Sequence, residues 1–179
     1  MSISKNPLKN GHIILDTNFI IKAYQNIDTP YFDNIFTVLK DNNCTPIINE
    51  YIKFEFLRGC KKSKQFFNKL DYLKALSEIT LKTNDDICQN ALEIANIYSN
   101  KNINKNQISI VDIYNSAFLK KYNKNITLIT TDYNDYPIYL HNRFKVDTVD
   151  TEKEILTLVY FEFDISKYEK CIKDFNKTN

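Results

Sequence analysis

Residues 12–18 read His12-Ile13-Ile14-Leu15-Asp16-Thr17-Asn18 and follow Gly11, one of only two glycines in the chain. A short apolar run that follows a turn signal and stops at an acid is the pattern of a buried strand with the acid at its carboxyl end. The pattern recurs once: Ile126-Thr127-Leu128-Ile129 runs into Thr130-Thr131-Asp132. Weaker strand candidates are Cys44–Ile48, Glu78–Leu81 and Phe144–Val149. Between them, helical periodicity covers Tyr31–Lys40, Glu50–Arg58, Gln65–Ala75, Asp85–Ser99 and Val111–Tyr122. Strands alternating with helices predict an α/β fold with a parallel sheet covered on both faces.

Thr83–Asp86, Ser109–Asp112 and Thr151–Glu154 each fit the Ser/Thr-x-x-acid capping box and predict helix starts. The tail from Thr151 to Asn179 is read as one or two helices packed on the core. The Asn/Lys-rich stretch Asn100–Gln107 is the expected flexible loop. A chain of 179 residues, 43% hydrophobic, buries one substantial core. The expected organisation is therefore a single domain over 1–179, with its motifs within 11–149 and a helical extension over 150–179.

The amino terminus has no apolar signal core, and the late apolar run Ile155–Phe161 is too short to cross a bilayer. A soluble, cytoplasmic protein with no membrane partner is expected. Four scattered cysteines without a CxxC pair and two isolated histidines, His12 and His141, speak against a zinc site or a disulfide framework. Lys and Arg exceed Asp and Glu by 24 to 22, so no strong global field either demands or excludes nucleic acid.

Ligands of open parallel sheets sit outside the carboxyl ends of the strands. Asp16 and Asp132 are both placed there, although an Asp after a strand is also an ordinary cap for the next helix. Glu55 falls at the edge of the apolar stripe Ile48, Ile52, Phe56, where a carboxylate is costly unless something binds it. Asp112 borders the stripe of Ile108, Val111, Asn115, Phe118 and Leu119. It also completes a capping box with Ser109, so both readings stand for it.

Four segments together resemble the successive motifs of the PIN-domain family, in the family's order and with similar spacing over residues 11–149. They are His12–Asn18, Glu55-Phe-Leu-Arg-Gly59, Val111-Asp112-Ile-Tyr-Asn-Ser-Ala117 and Thr130-Thr-Asp132-Tyr-Asn-Asp135-Tyr-Pro137. The resemblance implies a three-layer α/β/α fold and a cleft of acids binding Mg²⁺ or Mn²⁺. It also implies endonuclease activity on RNA. By position, Asp16, Glu55, Asp112 and Asp132 match the family's acids and Asp135 a further one. Asn18 (or Thr17) and Thr130 match polar positions that support the metal ligands. A longer middle, Lys61–Gln107, and the chain after Asp150 depart from the pattern.

Hard carboxylate oxygens suit Mg²⁺ or Mn²⁺, and such ions activate water and stabilise charge on a phosphate. Asp16 and Asp132 are expected as direct ligands, and Glu55 and Asp112 as ligands through water or as orienters of the nucleophile. Arg58, Lys61, Lys62 and Lys64 are candidates to meet the RNA backbone, although such a run is more often a solvated face. Tyr133 and Tyr136 are candidates to stack on a base, against the plainer reading of core or rim packing. The expected partners are an RNA substrate, a small antitoxin if the chain is a toxin-type ribonuclease, and a second copy in a homodimer. The competing reading is a PIN-like RNA-binding or assembly module with an idle cleft. An aspartate-phosphorylating enzyme is disfavoured by Asn18, which stands where its haloacid-dehalogenase pattern wants a second Asp.

Overall fold

The computed structural model describes residue 8, residues 11–100 and residues 109–177. The loop expected over Asn100–Gln107 therefore lies outside them from residue 101 onward. In chain order the elements are β1 (His12–Leu15), α1 (Thr17–Gln25), a 3₁₀ turn at Pro30–Phe32, α2 (Asp33–Asp41), β2 (Thr45–Asn49), α3 (Glu50–Arg58), α4 (Ser63–Leu76) and β3 (Ile79–Leu81). They continue with α5 (Asp85–Asn100), α6 (Ile110–Tyr122), β4 (Ile126–Thr130), β5 (His141–Asp150), β6 (Ile155–Phe163) and α7 (Ile165–Lys177). No helix among the described residues is long and apolar enough to cross a membrane.

The strands form one six-stranded sheet in the order β3-β2-β1-β4-β6-β5. β3, β2, β1 and β4 are parallel, with Ile13 opposite Pro46 on one side and Thr127 on the other. Ile13, Ile14 and Leu15 are fully buried, and every residue of β4 is buried as well. Because successive side chains of a strand point to opposite faces, burial of all of them requires helices over both faces. The two central strands thus explain why both motif-bearing runs are continuous in apolar character rather than alternating.

The helical tail expected after Thr151 is corrected. Only α7 is helical; β6 is a strand lying antiparallel between β4 and β5, which makes the sheet mixed. Its residues, Ile-Leu-Thr-Leu-Val-Tyr-Phe-Glu-Phe, are rich in β-branched and aromatic types and buried over most of their length, which suits a central strand. Thr151 caps no helix. Its Oγ1 donates to the carbonyl of Glu154 at 2.7 Å and accepts the Glu154 N–H at 3.1 Å, closing the β5–β6 hairpin. Likewise Asn84, not Thr83, holds the first turn of α5, through its Oδ1 on the Ile87 N–H at 3.0 Å. Ser109 is a true cap of α6, accepting from the Val111 N–H at 3.0 Å.

α7 is fastened to the turn before β5 by Lys167. Its Nζ donates to the carbonyls of Ile138 and His141 and to Asn142 Oδ1 at 2.7, 3.1 and 2.6 Å. Asn43 and Asn123, after α2 and α6, adopt positive φ of 52° and 36°. Asparagine tolerates positive φ better than most other side chains.

Candidate active site

β1 delivers Asp16 to the carboxyl end of the parallel strands, where its N–H still bonds the Ile129 carbonyl at 3.1 Å. Here the chain turns into α1, and Asp16 is both the N-cap of that helix and a buried acid, 2% exposed. Its Oδ1 accepts from the Thr17 N–H at 2.8 Å and from Asn115 Nδ2 at 3.1 Å, and its Oδ2 from Thr130 Oγ1 at 2.7 Å. Thr130 in turn accepts the Asp132 N–H at 2.9 Å, tying the end of β4 to the end of β1.

α6 contributes two residues one turn apart. Asp112 is 5% exposed and accepts the Tyr136 hydroxyl at 3.1 Å. Asn115 is fully buried; its Nδ2 donates to Asp16 and to the Tyr136 oxygen at 2.9 Å, and its Oδ1 accepts from Asn49 Nδ2 at 2.6 Å. Asn49 ends β2 and caps α3, its Oδ1 taking the N–H groups of Tyr51 and Ile52, each at 3.0 Å. One hydrogen-bonded chain, Asn49–Asn115–Tyr136, therefore bridges Asp16 and Asp112. Tyr136 is 1% exposed, so it belongs to the floor of the site and offers no face for stacking.

The carboxylates feel one another. Burial pushes Asp16 up to about 6, against the hydrogen bonds from Thr130 and Thr17 and with added repulsion from Glu55 and Asp135. Burial, then the charges of Asp16 and Asp135, push Asp112 up to about 8, and Glu55 adds to this. Asp135 is also raised, by burial and by Asp132. Asp16, Glu55, Asp112 and Asp135 thus form one electrostatic group. Asp132, partly exposed, reaches it through Asp135 and through the shared Thr130.

Glu55 is 23% exposed and pairs with Arg58 Nη2 at 3.5 Å. Glu50, on the same helix, is engaged elsewhere, for its Oε1 accepts the Thr83 N–H at 3.1 Å and its Oε2 lies 3.6 Å from Lys82 Nζ. Asn18 is exposed on the first turn of α1, and Thr17 Oγ1 is buried with no hydrogen-bond partner among the described residues. Arg58, Lys61, Lys62 and Lys64 are exposed along the end of α3 and the start of α4. Tyr133 is 40% exposed beside Asp132.

Sequence reasoning misses Asn49 and the bridging role of Asn115 and Tyr136. A polar Asn115 inside an apolar stripe is the one visible signal. Among the described residues no group of three or more His, Cys, Asp or Glu side chains stands gathered to hold a metal ion. Mg²⁺ keeps several waters and is commonly bound through one or two carboxylates. Two buried, mutually repelling aspartates with hard oxygen atoms therefore fit such an ion in chemical type.

No protein-family model matches the chain, and no curated protein matches it in sequence. In structure it is similar to a chain of DNA-bound VapBC from Salmonella typhimurium: 15% identity over 70% of this chain and 90% of that one, with a TM-score of 0.51. A chain of VapBC2 from Rickettsia felis, bound to a DNA fragment from their promoter, is 21% identical over 60% of this chain and 82% of that one. Its TM-score is 0.49. At such identities the likeness is one of fold. The chain has the expected α/β fold and shares it with the Salmonella chain.

Proposed function

We propose that the protein is an Mg²⁺- or Mn²⁺-dependent endoribonuclease of the toxin type, hydrolysing RNA phosphodiester bonds in the cytoplasm. The observation that carries this reading is the pair of buried aspartates, Asp16 and Asp112, bridged by Asn115 and Tyr136 and each raised by burial and, after it, by neighbouring acids. A fold has no structural use for like charges assembled in a low dielectric; a cation removes the conflict.

Asp16 and Asp112 would hold the ion, with Asp132 and Asp135 on the open side. When bound, the ion makes water more acidic and neutralises charge building on the phosphate. The chain's own groups set the geometry. Thr130 and Asn115 fix the carboxylate plane of Asp16, Tyr136 fixes Asp112, and Asn49 fixes Asn115. Attack of water on phosphorus forms one P–O bond and breaks the bond to the ribose oxygen, which leaves as a hydroxyl after taking a proton from solvent. A carboxylate of the group, with Glu55 placed for it beside Arg58, takes the proton of the water.

The fold shared with the Salmonella VapBC chain supports a small antitoxin as protein partner. The test is incubation of purified protein with mixed RNA, with Mn²⁺ and with chelator, beside Asp16→Asn prepared in the same way. Cleavage that needs the ion and is lost in the variant is expected. Equal cutting by Asp16→Asn would assign the activity to a contaminant.

A further inference from the structure

The chain has 24 cationic residues but only two arginines, Arg58 and Arg143. Both are tied to the acid-bearing segments. Arg58 pairs with Glu55 on one side. On the other, the guanidinium of Arg143 lies 5.1 Å from the ring centre of Tyr133, the residue between Asp132 and the rest of the fourth motif, and 6.0 Å from that of Phe161. The pairing of β5 with β6 is irregular there: Arg143 is opposite Phe161 and Lys145 opposite Tyr160, with Phe144 bulged between. A bulge re-aims the side chains beside it.

Arg143 is exposed, and among the described residues no carboxylate comes within 4.0 Å of it. Its guanidinium is therefore held by an aromatic ring while its N–H donors are uncommitted to any acid. That is a preorganised group for a phosphodiester, since the planar fork bonds phosphate oxygens in pairs and loses little freedom on binding. Tyr133 is 40% exposed, with ring surface left for a nucleobase. A tyrosine face beside an arginine, next to carboxylates that act on a phosphate, matches one ligand in chemistry: a strand whose bases are unpaired and splayed. In a duplex the bases are stacked inside and cannot reach the ring.

Resting on the ribonuclease reading above, we infer that Tyr133 and Arg143 form a subsite for single-stranded RNA, Tyr133 stacking on a base next to the cleaved bond and Arg143 holding an adjoining phosphate. Duplex RNA is excluded as a preferred substrate. The subsite acts on binding and sets specificity; it takes no part in bond breaking.

The test measures binding without cleavage, using Asp16→Asn with EDTA and a fluorescently labelled, mixed-sequence single-stranded RNA of about a dozen nucleotides, its duplex and the matching single-stranded DNA. Single-stranded RNA should bind at least about tenfold more tightly than duplex, and Tyr133→Leu should lose about tenfold, as removal of one base–aromatic stack does. Tyr133→Phe should keep most affinity, which separates stacking from a folding defect. Arg143→Gln should weaken binding and make its logarithmic salt slope shallower by about 0.7, the release expected for one phosphate on a single strand. Equal binding of duplex, or single-strand binding that is absent or indifferent to both substitutions, would overturn the inference. Single-stranded DNA bound as tightly as RNA would overturn its RNA-specific part. Binding that behaves as expected in a protein that never cleaves would leave the subsite standing and remove the nuclease reading instead.

Discussion

Asp112 and Glu93 each accept a hydrogen bond from a tyrosine hydroxyl, Asp112 from Tyr136 at 3.1 Å and Glu93 from Tyr168 at 2.5 Å. They end at opposite extremes. Burial and then the charges of Asp16 and Asp135 hold Asp112 up at about 8. Burial also opposes the charge of Glu93, but hydrogen bonds from Lys120, Tyr168 and Gln89 and the charge of Lys120 outweigh it and hold Glu93 down at about 2. The difference is one cation. Lys120 Nζ sits 2.6 Å from Glu93 Oε2 and 2.8 Å from the Tyr168 oxygen, and it locks α5, α6 and α7 together. At Asp112 the charged neighbours that shift it are all acids, and the Tyr136 hydrogen bond alone does not outweigh them and burial. The Glu93 arrangement has its cation within the chain; at Asp112 no cation of the chain is among the causes of the shift.

The largest effect expected from this contrast is on turnover. Asp112→Asn should lower the rate of RNA cleavage at saturating Mn²⁺ by about a hundredfold or more, the scale of several kcal/mol of lost charge stabilisation. Without metal the same variant should melt no lower than wild type, because repulsion is relieved, and Mn²⁺ should raise its melting temperature much less than that of wild type. A variant that melts lower in EDTA yet gains as much from Mn²⁺ would reduce Asp112 to a helix-capping acid.

The converse substitution sharpens the comparison. Lys120→Met should cost about 1–3 kcal/mol of stability by stranding a partly buried, charged acceptor, with cleavage per folded molecule unchanged. Unfolding midpoints and initial rates decide it, and an unchanged midpoint would show that the Glu93 pair holds nothing together.

The two regions should also answer pH with opposite signs. A carboxylate raised in the folded state binds its proton more tightly there, so its contribution is full below the ordinary value of 3.8 and is lost as pH climbs through about 8. Metal-free protein should therefore lose stability from pH 4 to 8, by up to about 1.4 kcal/mol per pH unit for each such group, and Asp112→Asn should flatten the slope. Glu93 works the other way: its contribution is present above the ordinary 4.5 and lost as pH falls towards about 2. Denaturation curves in EDTA across this range measure both. A slope unaffected by Asp112→Asn would mean that the repulsion is absent.

The parts of the fold written in local pattern are legible in the sequence. β1 and β4 announce themselves as apolar runs because they are buried on both faces, and the acids that follow them are close in sequence to that signal. β6 is not legible, because an apolar run without alternation suits a buried helix as well as a central strand. The Thr151–Glu154 pattern strengthens the wrong choice, since the same threonine chemistry closes a hairpin turn. In the site, Asp16, Glu55, Asp112 and Asp135 stand in short motifs. Their pairings are not legible: Asn115 meets Asp16 across 99 residues and Asn49 across 66, and nothing in either segment names the other.

Asp16 and Asn49 each divide their side chain between two duties. Asp16 Oδ1 takes both the Thr17 N–H and Asn115 Nδ2, whereas Asn49 caps with its Oδ1 and reaches Asn115 with its Nδ2. Fraying at the start of α1 or α3, ordinarily the cheapest motion a helix has, here withdraws a member of the acid network at the same time. The cleft and these two helix starts therefore open and close as one cooperative unit. A ligand held by Asp16 would therefore steady the start of α1 directly and the start of α3 at a distance, through Asn115 and Asn49.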